Sequence, residues 1–504
     1  MANIFVHDGG GGGGPTGYLQ MDSGALLSAT LNEVADQSNQ FSCLWLSTID
    51  VNNYGGGNQI GNTAFGPGAL TSNLTSRYNI AIGLDALHSQ TGSSATGGSN
   101  IAIGPNALYS TNNSSGIQNI AIGFESQFTV NGGGDNVSMG VNSLYSNVSG
   151  NNNVSIGTSA LYSSISNDNV AVGYFALNEL TFASDGNVAI GSESLMHFSG
   201  SGEPPHINTA VGYQAMRGNP ATSWSNGYNT AMGYQALLFI DSNGQKNTAI
   251  GHQSQLGTTG NGAGQENTSV GYLSLNLAQS ASERNTAIGS EAALNLTTSD
   301  DTIAIGHQAL KTLSTRGHGS IAIGNGALER FVGNTSSNDY NNIAIGYHAA
   351  RGASLGTKSG YDNIAIGKNA LSGFTTCVSN TAIGLNTLSN IGSGSWNTVV
   401  GYGSAQLFNT TSNYNTIIGS SNFSATPACA NVIVLGYGNT STPNTNTFSL
   451  ILGNNNTATG SNQVWFGDPT SGQNAGTVTS AAATQTHYWS VFINGTSYKI
   501  LLAT

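Results

Sequence analysis

Seven tyrosines, Tyr174, Tyr213, Tyr234, Tyr272, Tyr347, Tyr402 and Tyr437, each follow directly on a glycine. A phenol combines an apolar ring with a hydroxyl, which suits contact with a glycan or a protein surface. Plain stacking of these rings between coils is the simpler explanation of the same spacing. Carboxylates are the next candidates: Asp85, Glu125, Glu193 and Glu291 each stand two residues after a glycine. A glycan-cleaving site needs two carboxyl groups facing each other across a groove. These four are separated by whole repeats, as expected of solvated turn positions. His252 and His307 also follow a glycine, but the pattern supplies no third ligand for a metal. The calcium-binding run Gly-Gly-x-Gly-x-Asp does not recur. Cys43, Cys377 and Cys429 lack Cys-x-x-Cys spacing and read as buried thiols. The hexaglycine from Gly9 to Gly14 is followed by Pro15 and no Gly-Lys-Ser/Thr, so it reads as a hinge and not a phosphate loop. No catalytic, cofactor-binding or metal-binding residue is expected, and no cofactor.

What positions the tyrosines is a repeat. Aligned on the closing glycine, the chain has 23 registers from Gly66 to Gly467, among them Gly83, Gly104, Gly123, Gly140 and Gly157, with about 18 residues per interval. Such a period is that of a solenoid. The residue before the glycine is apolar throughout, the residue two before is Ala or Ser through Gly384, and the residue three before is Ile, Val, Leu or Thr. Alternation of this kind is the period of a strand, and it predicts the large apolar columns on the core side with the small column opposite. The threonines from Thr209 to Thr286 would then be core-facing, which argues against an ice-binding array. Asn stands four before the glycine in 18 of 23 registers, including Asn79, Asn100, Asn119, Asn136, Asn153, Asn208, Asn229 and Asn247. This column predicts a hydrogen-bonded Asn ladder between stacked coils. An x-x-Ala-Leu after the glycine, as at Ala86-Leu87 and Ala107-Leu108, would complete the core from the opposite wall. The polar segments that follow, such as His88 to Ser99, vary in length and read as loops.

The Asn-Thr-Ala-Ile-Gly and Asn-Ile-Ala-Ile-Gly motifs resemble the head repeats of trimeric autotransporter adhesins and the related repeats of viral and phage tail fibres. The resemblance covers roughly Asn62 to Gly467. It implies a left-handed parallel β-roll in a side-by-side homotrimer, with the small column (Ala81, Ala102, Ala121, Ala171) at the contact between chains. Insertions between motifs depart from the family's shorter coils, and neither a heptad stalk nor membrane-anchor strands are evident.

Composition agrees with a rigid, sparsely charged rod. Gly numbers 70 and only 7% of residues are charged, against about a quarter in ordinary domains. Eleven Lys plus Arg against a net charge of −12 exclude phosphate-driven binding to nucleic acid. Neither an apolar run of membrane-spanning length nor a classical signal peptide is seen, so membrane insertion is not expected. The expected organisation is an arm with a hinge over 1–15, a cap or attachment element over 16–60, a shaft over 61–470 and a β-hairpin cap over 471–504, with Asn494-Gly495 at the turn. Twenty-three coils at strand spacing give a shaft on the order of 110 Å.

The function expected is that of an adhesin-like fibre or spike presenting a binding surface outside the cell or on a virion. Its partners would be further copies of the chain and a cell-surface glycan or protein receptor. The alternatives are a subunit of an extracellular filament or coat and, behind it, a glycan-cleaving tailspike.

Overall fold

Three-residue strands rich in Ile, Val and Thr immediately precede the motif glycines, and successive strands pair in parallel. In the computed structural model Ile80–Ile82 runs beside Ile101–Ile103 with Ala81 opposite Ala102. Residues 61–468 are described apart from parts of the segments between coils, together with the short strands Phe5–Val6, Leu19–Gln20, Gln473–Asn474, Tyr488–Ile493 and Thr496–Leu501. The described residues are all-β and contain no helix. The chain is a parallel β-solenoid with coils of about 18 residues, divided into two compact units, Met1–Gly186 and Asn187–Thr504. In the first, seven strands from Thr63–Phe65 to Val170–Val172 stack in succession. In the second, sixteen do so from Val188–Ile190 to Val464–Asp468.

The facing of these strands is the reverse of the expectation. Ala81 is fully buried while Ile80 and Ile82 are each 37% exposed, and the same alternation holds along both units. The reason is volume. Ala86 and Leu87 from the turn wall share the coil interior with Ala81. Leu87 fills most of that narrow space, and two inward isoleucines per coil would overpack it. Thr209, Thr230, Thr248, Thr268 and Thr286 likewise face outward, so a core position is not what argues against ice binding there.

Each turn is held by contacts with neighbouring coils. Gly83 has φ +132°, and a Cβ there would lie 2.7 Å from the Gly104 carbonyl oxygen; glycine is needed for conformation and for space. Asp85 and Leu87 also have positive φ, 52° and 51°, a cost for non-glycine residues. Their amides are tied to adjacent coils, Asp85 N to Pro67 O at 2.8 Å and Leu87 N to Ala107 O at 2.9 Å.

Toward the end of the second unit the packing changes, as the loosening of the motif suggests. Val399, Ile417, Val434 and Ile451 occupy the inward position in place of Ala and are buried. In the Val399 coil the wall gives up bulk, with Ala405 where Leu usually stands, whereas the Ile417 coil buries Phe423 at the same position. The expected C-terminal hairpin strands, Tyr488–Ile493 and Thr496–Leu501, pair antiparallel with Ile493 opposite Thr496. The hexaglycine hinge, Cys43, most of the 16–60 segment and the Asn494-Gly495 turn lie outside the described residues.

Candidate binding surfaces

The Asn column is a directed ladder. In the first unit the backbone N–H of Asn79, Asn100, Asn119, Asn136, Asn153 and Asn169 each donates to the Oδ1 of the Asn one coil earlier, at 2.8 to 3.0 Å. In the second unit the same bond links Asn187, Asn208, Asn229 and Asn247, and these side chains are almost wholly buried. Their amide groups also bond turn carbonyls, as Asn136 Nδ2 does to Gly150 O at 2.9 Å. The ladder is thus internal, with its polar capacity spent between coils. A second ladder, invisible in the motif, runs Asn422, Asn439, Asn456 at the wall position. Its sequence signal is Asn three residues after Gly419, Gly436 and Gly453.

The outer side of the main strand wall is apolar in each unit. The column before the glycine (Ile82, Met139 and Ile156 in the first unit; Ile190, Ile345 and Ile418 in the second) is at least one third exposed. Next to it lie the tyrosines. All seven are roughly half exposed, but only some come together. Tyr213 stacks on Tyr234 at 5.5 Å and Tyr234 on His252 at 4.9 Å, and Tyr272 continues at 5.3 Å from His252. Beside this stack Gln253 bonds Gln235, Gln235 bonds Gln214, and Gln214 bonds Glu193. Tyr174 instead packs edge-on against Phe175, and Tyr347 lies against His348 with the Lys368 ammonium 5.7 Å from its ring centre. Tyr402 and Tyr437 stand outside the four-ring stack.

The carboxylates are occupied singly by their neighbours. Glu193 pairs with Arg217 at 2.8 Å, and Glu125 accepts from Asn106 at 3.5 Å. Glu291 is held below its ordinary range by bonds from Lys311 and Gln308. A ladder of charges, Lys246 to Glu266 and Arg284 to Asp301, joins consecutive coils of the second unit. Among the described residues no three His, Cys, Asp or Glu side chains cluster as a metal site, and no helix is long and apolar enough to cross a membrane. Cys377 and Cys429 are buried free thiols, and burial pushes Cys377 up to about 12.

A further aromatic column escaped the motif alignment. In the first unit, Ser89–Gln90, Ser110–Thr111, Thr129–Val130, Ser146–Asn147 and Ser163–Ser164 form a second parallel sheet where the sequence suggests loops. On its approach stand His88, Tyr109, Phe128, Tyr145 and Tyr162, stacked at 4.9 to 5.1 Å with ring planes within 7°. The available signal was an aromatic five residues after each of five consecutive glycines. Burial, and then Glu125 and Tyr162, raise the Tyr145 phenol above its ordinary value.

No family model matches the chain, and no curated relative does.

Proposed function

We propose that the chain is a non-catalytic structural protein that assembles side by side into a homotrimeric fibre or spike, holding a binding surface away from a particle or cell. The observation that carries this is the outward apolar wall. A lone chain would leave in water a column of Ile, Val, Met, Leu or Phe before each glycine, flanked on many coils by a second Ile or Val, and large apolar patches on soluble proteins are as a rule covered by a partner. In the second unit fifteen strand spacings by three residues give a wall of about 700 Å². One partner contributes about 800 Å² to a standard stable interface, so the wall has the area a chain–chain contact needs. The contact would run through Ile and Val, with the alanines inside the coil, and it would cover the Thr209 to Thr286 column.

The pairing of Glu125, Glu193 and Glu291 with residues of adjacent coils supports a structural over a glycan-cleaving reading. An extracellular or virion-surface location follows from this role. Light scattering of the native 51.4 kDa chain, with negative-stain imaging of its outline, tests it. Three chains per particle in an elongated outline are expected. Single chains would defeat the trimer, and open-ended polymers would favour a filament or coat subunit instead.

A further inference from the structure

We infer that the second wall of the first unit is a binding site for a neutral, linear polysaccharide laid along the stacked rings. The site is His88, Tyr109, Phe128, Tyr145 and Tyr162 together with the hydroxyl column of the adjoining strands. This deepens the fibre reading, since burying the main wall between chains leaves this wall facing solvent.

Three features select the ligand. The first is period. Ring centres recur at 4.9 to 5.1 Å, and Ser110, Thr129, Ser146 and Ser163 are paired in register beside them. Each coil therefore offers one ring edge and one hydroxyl at the strand spacing. A polymer of pyranose units, each of similar length, can meet one such pair per residue. Among folded proteins only another stacked sheet carries that period, and a sheet's flat face does not present a free hydroxyl and C–H edge at every step as a sugar chain does.

The second feature is hydrogen-bonding capacity. The Tyr109, Tyr145 and Tyr162 phenols, and the Ser110, Thr129, Ser146 and Ser163 hydroxyls, have no protein hydrogen-bond partner among the described residues. The rings are half-buried, with their flat faces consumed by one another, so what they present is an apolar edge tipped by hydroxyls. A polyhydroxylated chain with both C–H and O–H groups on its surface complements such an edge.

The third is charge. Arg77 is the one Lys or Arg between residues 1 and 186, against Asp85, Glu125, Asp135, Asp168, Glu179 and Asp185 from residue 61 onward. A sulfated, phosphorylated or uronic-acid polymer would meet no cation on this wall and would be repelled by Glu125. The ligand is therefore uncharged.

The test is calorimetric titration of the full chain with cello-, xylo-, manno- and chito-hexasaccharides, with heparin as the anionic probe. The triple variant Tyr109→Phe/Tyr145→Phe/Tyr162→Phe keeps the stack and removes its hydroxyls; Tyr213→Phe/Tyr234→Phe/Tyr272→Phe does the same in the other unit. At least one neutral hexasaccharide is expected to bind, tenfold or more weakly to the first variant and unchanged to the second, with no heparin binding. Failure of all four sugars, an unaffected first variant, or preference for heparin would overturn the site. Light scattering on the same samples separates the two proposals. Trimers that bind no sugar leave the fibre standing and remove the site, whereas single chains that bind do the opposite.

Discussion

The side-chain oxygen of Asn119 accepts both the backbone N–H and the Nδ2 of Asn136, each at 3.0 Å. It also accepts Gln127 Nε2 at 3.0 Å, and all three residues are fully buried. Asn119→Ala would strand these donors away from water at about 1–3 kcal/mol for each group left unsatisfied. A loss on the order of 2–4 kcal/mol is expected, read as a lower chemical-denaturation midpoint. In a stacked fold the damage should concentrate near the altered coil, so hydrogen exchange at the Asn136 amide, which loses its acceptor, should quicken first. An unchanged midpoint and exchange pattern would mean that the ladder is decorative.

The ladder has a gap. Thr302 N still donates to Asn285 Oδ1 at 3.0 Å, but no ladder bond joins Ser320 to Asn342, and the buried Ser320 Oγ has no partner. Ser320→Asn restores the residue found elsewhere in the column. It should stabilise by about 1 kcal/mol, the net worth of a satisfied hydrogen bond, seen as a raised denaturation midpoint. A lower midpoint would show that this coil excludes the amide for reasons of shape.

Gly104 tests the closing position. Its φ is +129° and a Cβ would sit 2.6 Å from the Gly123 carbonyl oxygen. Gly104→Ala combines backbone strain with overpacking against backbone that cannot move alone, a cost of roughly 2–4 kcal/mol. Circular dichroism melts should show it; a shift of less than a degree would contradict the account.

Much of this architecture was legible because each coil repeats the same local solution. The Asn column, the closing glycines and the wall Leu follow from recurring residue types, and the structure places them as the pattern implies. The facing of Ile80, Ala81 and Ile82 is not legible in the pattern, because alternation separates two faces without saying which one is interior. That choice is made by volume, through Leu87 arriving from the opposite wall. The aromatic column from His88 to Tyr162 was missed because it lies where coil lengths diverge and polar residues suggest loops, although its offset from the glycine is constant. Of the tyrosines after the glycine, Tyr213, Tyr234 and Tyr272 form a stack only because His252 bridges the coil between them.

Acidification should weaken the second unit modestly. Hydrogen bonds from Lys246, Lys311 and Arg284 hold Glu266, Glu291 and Asp301 below their ordinary carboxylate range. A carboxylate whose pKa is lower folded than unfolded contributes stability above its unfolded pKa, about 4, and loses it as pH falls toward the folded value. The melting temperature should hold from pH 8 to 5 and decline below about pH 4. Because Glu266 and Asp301 are exposed and Glu291 is partly so, the effect should be small and should shrink in high salt. Arg284→Gln should remove part of the decline. Melting that rises on acidification would contradict the sign.

The central claim is that the outward apolar wall is where chains meet. Its most direct test is the solution mass of Ile323→Lys/Ile345→Lys beside the native chain, with circular dichroism to follow the fold. Both side chains point away from the coil interior, so a single chain should tolerate the change and keep its β signal. Three chains of 51.4 kDa are expected for the native protein and one for the variant. A variant that remains trimeric would place the contact on another wall, and a native protein that runs as one chain would contradict the assembly itself.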